Sequence, residues 1–328
     1  MGSIPWRAIL RLAVCLLVSI GMLTAATGVF AEDRLKVAMG GQRGVGETFS
    51  TDVGQQGGIF KKHGLDLDVL YTESSGETLQ AVISGSVQIG VATGLTGTIG
   101  VFAKGAPVRI IGSSFTGGSQ LFWYVRADSS IRSVQDTAGR TVAYSSSGSS
   151  AHTSVLALRK FSGVDFTPTV TGSAPTTLTM VMSGQVDVGW SGAPFAVEQI
   201  EKGDIRMVWK ASAAPVMEKQ TIRVIVANAT ELKQHHDVYV RFMRAYRETQ
   251  DWVYSTPEGL KAYSAWAKLS EQAARRALDE FIPRTAIDPD RISGLDDVLA
   301  DAVTFKYTSA LLTREQVDEL IQIPERKK

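Results

Sequence analysis

Short runs of β-branched and aliphatic residues alternate with longer stretches of helical periodicity along most of the chain, a pattern that predicts an α/β protein with mainly parallel sheets. Leu35 to Ala38 reads as a first strand, and the glycine-rich stretch from Gly40 to Gly46 as the loop leaving it. A helix is predicted from about Glu47 to Lys62, stopped by Gly64 just after His63. Leu65 to Leu70 then alternates with a period of two, as a half-buried strand does.

One element occurs twice. The run from Leu79 to Gly90 returns from Leu178 to Gly189, and both copies fit L-x-x-V-x-S-G-x-V-x-[I/V]-G without a gap. In physical terms this is a helix ended by glycine, followed at once by a short strand that runs into a glycine loop. The surroundings repeat as well. A loop of small polar residues precedes each copy, from Glu73 to Gly76 and from Thr171 to Ala174, and each is followed by a helix ending near Lys104-Gly105 or Lys202-Gly203. Two α/β lobes of one plan are therefore expected, not a solenoid.

Two apolar strands, Gln120–Arg126 and Thr221–Ala227, are placed to lead out of the first lobe and back from the second. Side by side they would make a two-strand hinge. The remainder is strongly helical, with helices expected over 238–254, 257–268, 271–281 and 294–306, packed on the first lobe. The expected division is a leader of residues 1–31, the first part of lobe 1 over 32–127, lobe 2 over 128–218, and a return to lobe 1 with the C-terminal helices over 219–328.

The leader rests on Arg7 and Arg11, an apolar run from Ala13 to Leu23, and small residues at Val29 and Ala31 that suit cleavage after Ala31. That run is shorter than the roughly twenty residues a membrane-spanning helix needs. A periplasmic location is expected. Cys15, the only cysteine, lies inside the apolar run and lacks the setting of a lipidation site. The remaining chain then has no disulfide and must be held by an ordinary core. Lys and Arg number 34 against 33 Asp and Glu, a balance that gives no reason to expect nucleic acid as a partner.

The stretch from Gly58 to Leu67, G-I-F-K-K-H-G-L-D-L, resembles the signature of periplasmic binding proteins for nitrate, sulfonates and taurine. The repeated S-G-x-V-x-[I/V]-G element, Lys104 to Val108 and Gly148 to His152 are similar to that family too. The resemblance covers nearly all of the chain after the leader. It implies a type II periplasmic-binding fold, a small-molecule solute held between the lobes, and delivery to an inner-membrane ABC permease with its ATPase. A monomer without cofactor or metal is expected. The same family includes proteins that bind pyrimidine precursors of thiamine or aromatic acids, and fungal relatives that make the pyrimidine. A synthase-like enzyme, or a binding protein serving a TRAP transporter or membrane sensor, are the alternatives.

In open parallel sheets, ligands bind beyond the carboxyl ends of the strands. That selects Gly41, Gln42 and Arg43; Thr93, Gly94, Leu95 and Thr96; Ser146, Ser147, Gly148, Ser149 and Ser150; and Trp190 and Ser191. Backbone N–H groups at helix starts favour anions there. Three of these loops carry no carboxylate, so a neutral or anionic solute is expected, with Arg43 a candidate partner for an anion and Trp190 a flat wall. Ser149 has a plainer reading as a helix N-cap. No Gly-Lys dipeptide occurs, which excludes a Walker A loop, and the glycines at 94, 97 and 100 have the wrong spacing for a dinucleotide fingerprint. No catalytic constellation is expected, and adjacent His235 and His236 point about 100° apart on a helix.

Overall fold

The computed structural model describes residues 32–326, except Gln42 and Val45. The expected leader, with Cys15, and the candidate site residue Gln42 lie outside the described residues.

The first part of the chain runs β1 (Asp33–Gly40), α1 (Phe49–Gln56), α2 (Ile59–Lys62), β2 (Leu65–Thr72), α3 (Ser75–Ile83), β3 (Ile89–Gly94), α4 (Leu95–Phe102) and β4 (Val108–Thr116). It continues through β5 (Leu121–Arg126), β6 (Thr141–Tyr144), α5 (Ser150–Ser162), β7 (Thr167–Val170), α6 (Ala174–Met182), β8 (Gly189–Gly192), α7 (Val197–Glu201), β9 (Ile205–Lys210) and α8 (Val216–Lys219). The last part is β10 (Thr221–Asn228), α9 (Ala229–Gln234), α10 (His236–Ser255), α11 (Pro257–Ala267), α12 (Glu271–Phe281), α13 (Leu295–Thr304) and α14 (Arg314–Leu320).

Two sheets of matching plan organise these elements. A five-stranded sheet has the order β2-β1-β3-β10-β4, with β1 parallel to β2 and β3, and β10 antiparallel to β3 and β4. A three-stranded sheet, β8-β5-β9, is antiparallel throughout, and β6 pairs β7 in parallel. A parallel bridge between Val142 and Val188, with Ala143 N–H donating to Val188 O at 2.8 Å, joins these pieces in the order β7-β6-β8-β5-β9. Strand by strand this repeats the first sheet. The two lobes share one topology.

The repeat seen in the sequence sets the details. Ser74 caps α3 and Ser173 caps α6, each accepting a backbone N–H three residues on. Behind the caps, the Thr72 and Thr78 hydroxyls meet at 2.7 Å and those of Thr171 and Thr177 at 2.6 Å. Gly85 and Gly184 end the two helices with the same left-handed φ of 75°, which explains glycine at both positions.

Three expectations are corrected, the first being that of mainly parallel sheets: β5 and β10 run antiparallel to both of their neighbours, so antiparallel pairings prevail. The helix expected over 47–62 is broken: α1 stops at Gln56, Gly58 takes φ of 73°, and α2 restarts at Ile59. The break brings Gly57 against Trp252, where a Cβ would stand 2.9 Å from the ring. The strands of the expected hinge do not pair with each other. β5 is inserted between β8 and β9, and β10 between β3 and β4. The crossings themselves do adjoin, with Gly117 N–H donating to Gln220 O at 2.9 Å and the hydroxyls of Thr116 and Thr221 2.8 Å apart. Each strand gains two ladder partners in a sheet, where side-by-side pairing would supply one.

The C-terminal helices pack on lobe 1 as expected. Phe242 of α10 lies 5.4 Å from Phe60, and Phe49 meets Tyr263 of α11 edge-on at 5.1 Å. These rings are fully buried, each worth roughly 1.5–3 kcal/mol. α12 reaches the other lobe as well: Lys210 Nζ stands 4.6 Å above the Phe281 ring, and Ser119 Oγ donates to Phe281 O at the crossing. His63, which follows α2, is partly buried with Nε2 2.8 Å from Glu248 Oε2 of α10.

Candidate functional site

The carboxyl ends of β1 and β3 in one lobe face those of β6 and β8 in the other, and the loops there touch directly. Gly46 N–H donates to Ala193 O at 3.1 Å, and Gly97 N–H donates to Gly148 O at 3.2 Å. The close approach has a sequence cause. A Cβ on Gly94 would stand 2.1 Å from Gly148 O, one on Gly97 2.7 Å from it, and one on Gly100 3.2 Å from Tyr307 Cβ. The 94-97-100 spacing that fails as a nucleotide fingerprint thus leaves the start and one face of α4 bare, with the lobe 2 serine loop seated at Gly94 and Gly97 and Tyr307 at Gly100.

A buried charge pair lies beside this contact. Arg223 of β10 donates from Nη1 to Glu47 Oε2 at 2.8 Å, to Gln120 Oε1, and from Nε to Ser150 Oγ at 2.8 Å. Glu47 is fully buried and also accepts from Ser114 Oγ at 2.9 Å. The guanidinium therefore spans from the lobe 1 sheet to the first turn of α5 in lobe 2. Neither charge was among the candidates. A lone arginine inside the apolar run Thr221–Ala227 was the available signal, since a strand buried on both faces holds a charge only with a partner. Glu47 also qualifies the carboxylate-free picture of the cleft: an acid is present, already neutralised.

The other candidates divide clearly. Arg43 is paired with Asp52 at 3.0 Å, and Asp52 also accepts from Tyr71 OH and Trp266 Nε1, so this cation is engaged within lobe 1. Gly41 is half-buried in a bridge to Thr72. Thr93 donates to Val224 O at 3.2 Å, Leu95 is core, and Thr96 is buried. Ser149 caps α5, accepting from His152 N–H at 3.1 Å. Ser150 meets Arg223, while Ser146 Oγ is buried with no hydrogen-bond partner among the described residues. Trp190 donates its indole N–H to Thr171 Oγ1 at 3.2 Å and packs partly buried on two cores; Ser191 Oγ donates to Phe195 O at 3.0 Å.

Gly94, Ser147 and Gly148 come together around a cavity of about 190 Å³ that also meets Gln80, Lys104 and Tyr307. Among the described residues, no carboxylate lines it and Lys104 is its one cation. His152, on α5 behind the serine loop, is stacked on Tyr144 at 4.0 Å, and burial pushes its pKa down to about 4. A neutral imidazole follows, consistent with Nδ1 facing both Gly148 N–H and Tyr307 OH. Among the described residues, no three His, Cys, Asp or Glu side chains gather to hold a metal ion, and no helix is long and apolar enough to cross a membrane.

Solved structures share this architecture. The alkanesulfonate-binding protein SsuA from Xanthomonas axonopodis pv. citri, bound to MOPS, superposes with a TM-score of 0.73 at 18% identity, over 88% of this chain and 98% of that one. The periplasmic nitrate-binding protein NrtA from Synechocystis PCC 6803 gives 0.67 at 15% identity, over 88% and 86%. The Candida albicans CA3427 gene product, described as having the generic periplasmic binding protein fold, gives 0.70 at 14% identity, over 90% and 98%. At such identities the likeness establishes the fold. No curated protein matches in sequence. The family model described as NMT1/THI5 like matches residues 51–260, and the chain belongs to that family, with a periplasmic-binding-protein fold.

Proposed function

We propose that this protein is the solute-binding component of an ABC-type importer, exported to the periplasm with cleavage after Ala31, and that it takes a small neutral or anionic organic solute between its lobes. The observation that carries this reading is the lobe contact at Gly94, Gly97 and Gly148. The lobes meet there through backbone and small residues, a surface that separates and rejoins without exposing an apolar core. Lobe 1 would comprise 32–127 and 219–328, and lobe 2 128–218. The carboxylate-free cavity with Lys104, the Glu47–Arg223 pair and the unpartnered Ser146 hydroxyl favour a neutral or negatively charged group over a cation. The architecture shared with binding proteins supports capture in place of catalysis, and delivery to a permease with its ATPase.

Thermal-shift screening of the purified protein tests this. Sulfonates, nitrate, aromatic carboxylates, pyrimidines and cationic amines are compared at equal concentration. A true ligand at a hundred times its Kd stabilises by about 2.7 kcal/mol and raises Tm. The expected result is a shift with neutral or anionic compounds that leaves them chemically unchanged. A shift with cationic amines alone, or turnover of the bound compound, would overturn the proposal.

A further inference from the structure

The last turn of α13 and the segment after it pack on the lobe 1 core through Ala302, Tyr307 and Leu312, yet they make polar contacts with lobe 2. Tyr307 OH accepts from Gly148 N–H at 3.0 Å and faces His152 Nδ1, while its Cβ and backbone rest on Gly100. Two turns further along α5, on the same face as His152, Lys160 Nζ stands 3.4 Å from Asp301 Oδ1 and 5.9 Å from the Phe305 ring centre. Asp301 is buried and also accepts from Gln220 Nε2 at 3.3 Å, which places it on the crossing between lobes. One short stretch, residues 301–307, therefore touches the crossing, the flank of α5 and the serine loop.

From this placement we infer that Tyr307 and Asp301 are the residues that set lobe closure: a clasp on the outer side of α5 that holds lobe 2 seated on the glycine stripe of α4. The inference rests on the proposed capture of a solute between moving lobes. Its chemistry is specific. Tyr307 OH has one proton to give and lone pairs to receive, so it donates to the bare Nδ1 of a neutral His152 while taking the Gly148 N–H. The groups facing His152 are the Tyr144 ring, the Tyr307 hydroxyl and the Gly148 N–H, and burial alone holds its pKa down at about 4. Protonation puts a hydrogen on Nδ1, so the ring can no longer accept from Gly148 N–H and faces it donor against donor at 3.3 Å, while Tyr307 must turn its own proton away and accept from both. The clasp then releases in acid. Any solute in the adjoining cavity touches Tyr307, Gly148 and α4 at once, so clasp and solute act on the same lobe contact.

The test needs no ligand. Ser86 and Gln185 are exposed and occupy matching positions in the two copies of the repeat. Replacing each by Cys, and the single native Cys15 by Ser, allows a spin-label pair to report lobe separation by pulsed electron resonance. At pH 7 the parent is expected to show two distance populations, a shorter one that matches the closed structure and a longer one from separated lobes. Tyr307→Phe keeps the ring and removes the hydroxyl, and Asp301→Asn removes the charge facing Lys160. Each should raise the longer-distance population about fivefold or more. Lowering the pH to about 4 should open the parent while leaving Tyr307→Phe where it was, with far-UV circular dichroism unchanged. His152→Asn serves as a second variant. The inference is overturned if Tyr307→Phe and His152→Asn keep the parent distribution, or if the parent is already open at pH 7. Failure of the ligand screen leaves this result untouched, because no solute enters the measurement.

Discussion

Glu47 and Arg223 show how one buried contact ties a strand, a loop and the opposite lobe together. Glu47 has no exposed surface, so neutralising it by Glu47→Gln leaves the Arg223 charge without its partner. The expected loss is about 3–5 kcal/mol of unfolding free energy, read from urea denaturation, with Arg223→Met in the same background recovering part of it. Ser149→Ala removes an N-cap and should cost about 1 kcal/mol. If it weakened solute binding without that loss of stability, Ser149 would be a ligand contact before a cap. The serine loop was legible as a polar loop entering a helix, because capping is local. That Arg43 would close on Asp52, and Arg223 cross to Ser150, was not legible: both depend on which segments the fold brings together.

Among the elements, α4 offers a substitution whose local and global effects have opposite signs. Alanine in a helix interior is favoured over glycine by about 1 kcal/mol. A Cβ on Gly97, however, would stand 2.7 Å from the Gly148 carbonyl and 2.9 Å from its Cα, both backbone atoms that cannot swing aside. Gly97→Ala should therefore leave Tm unchanged or raised while lowering solute affinity at least tenfold by calorimetry. Equal affinity would mean the lobes close elsewhere. Strand and helix positions were read well from periodicity, and the repeat located both copies of the helix-glycine-strand joint. The break at Gly57-Gly58 was missed because its cause is Trp252, almost two hundred residues away. The placement of β5 and β10 was missed for the same kind of reason. Their alternation marks them as strands and says nothing of which sheet takes them.

For the whole molecule, the depressed pKa of His152 gives a pH dependence of definite sign. Its folded value of about 4 lies below the ordinary 6.5. Between those values the unfolded chain binds a proton that the folded protein excludes, so stability falls as pH drops from 6.5 towards 4 and is fully present above that window. Unfolding midpoints in urea across the window should show this slope, and His152→Asn should flatten it. A slope identical in the variant would place the pH sensitivity in the surface carboxylates.

The exchanged strands carry a consequence for synthesis. β10, ending at Asn228, sits between β3 and β4, which are complete by Thr116. A nascent chain that has emerged from the ribosome only as far as lobe 2 thus holds β2-β1-β3 and a separate β4 with a gap where β10 belongs. Its first sheet stays open on both facing edges until the return crossing is made. Lobe 2 has no such wait, since β5 precedes its partners. The second half of the architecture can therefore fold first, and the N-terminal half remains extensible while translation continues.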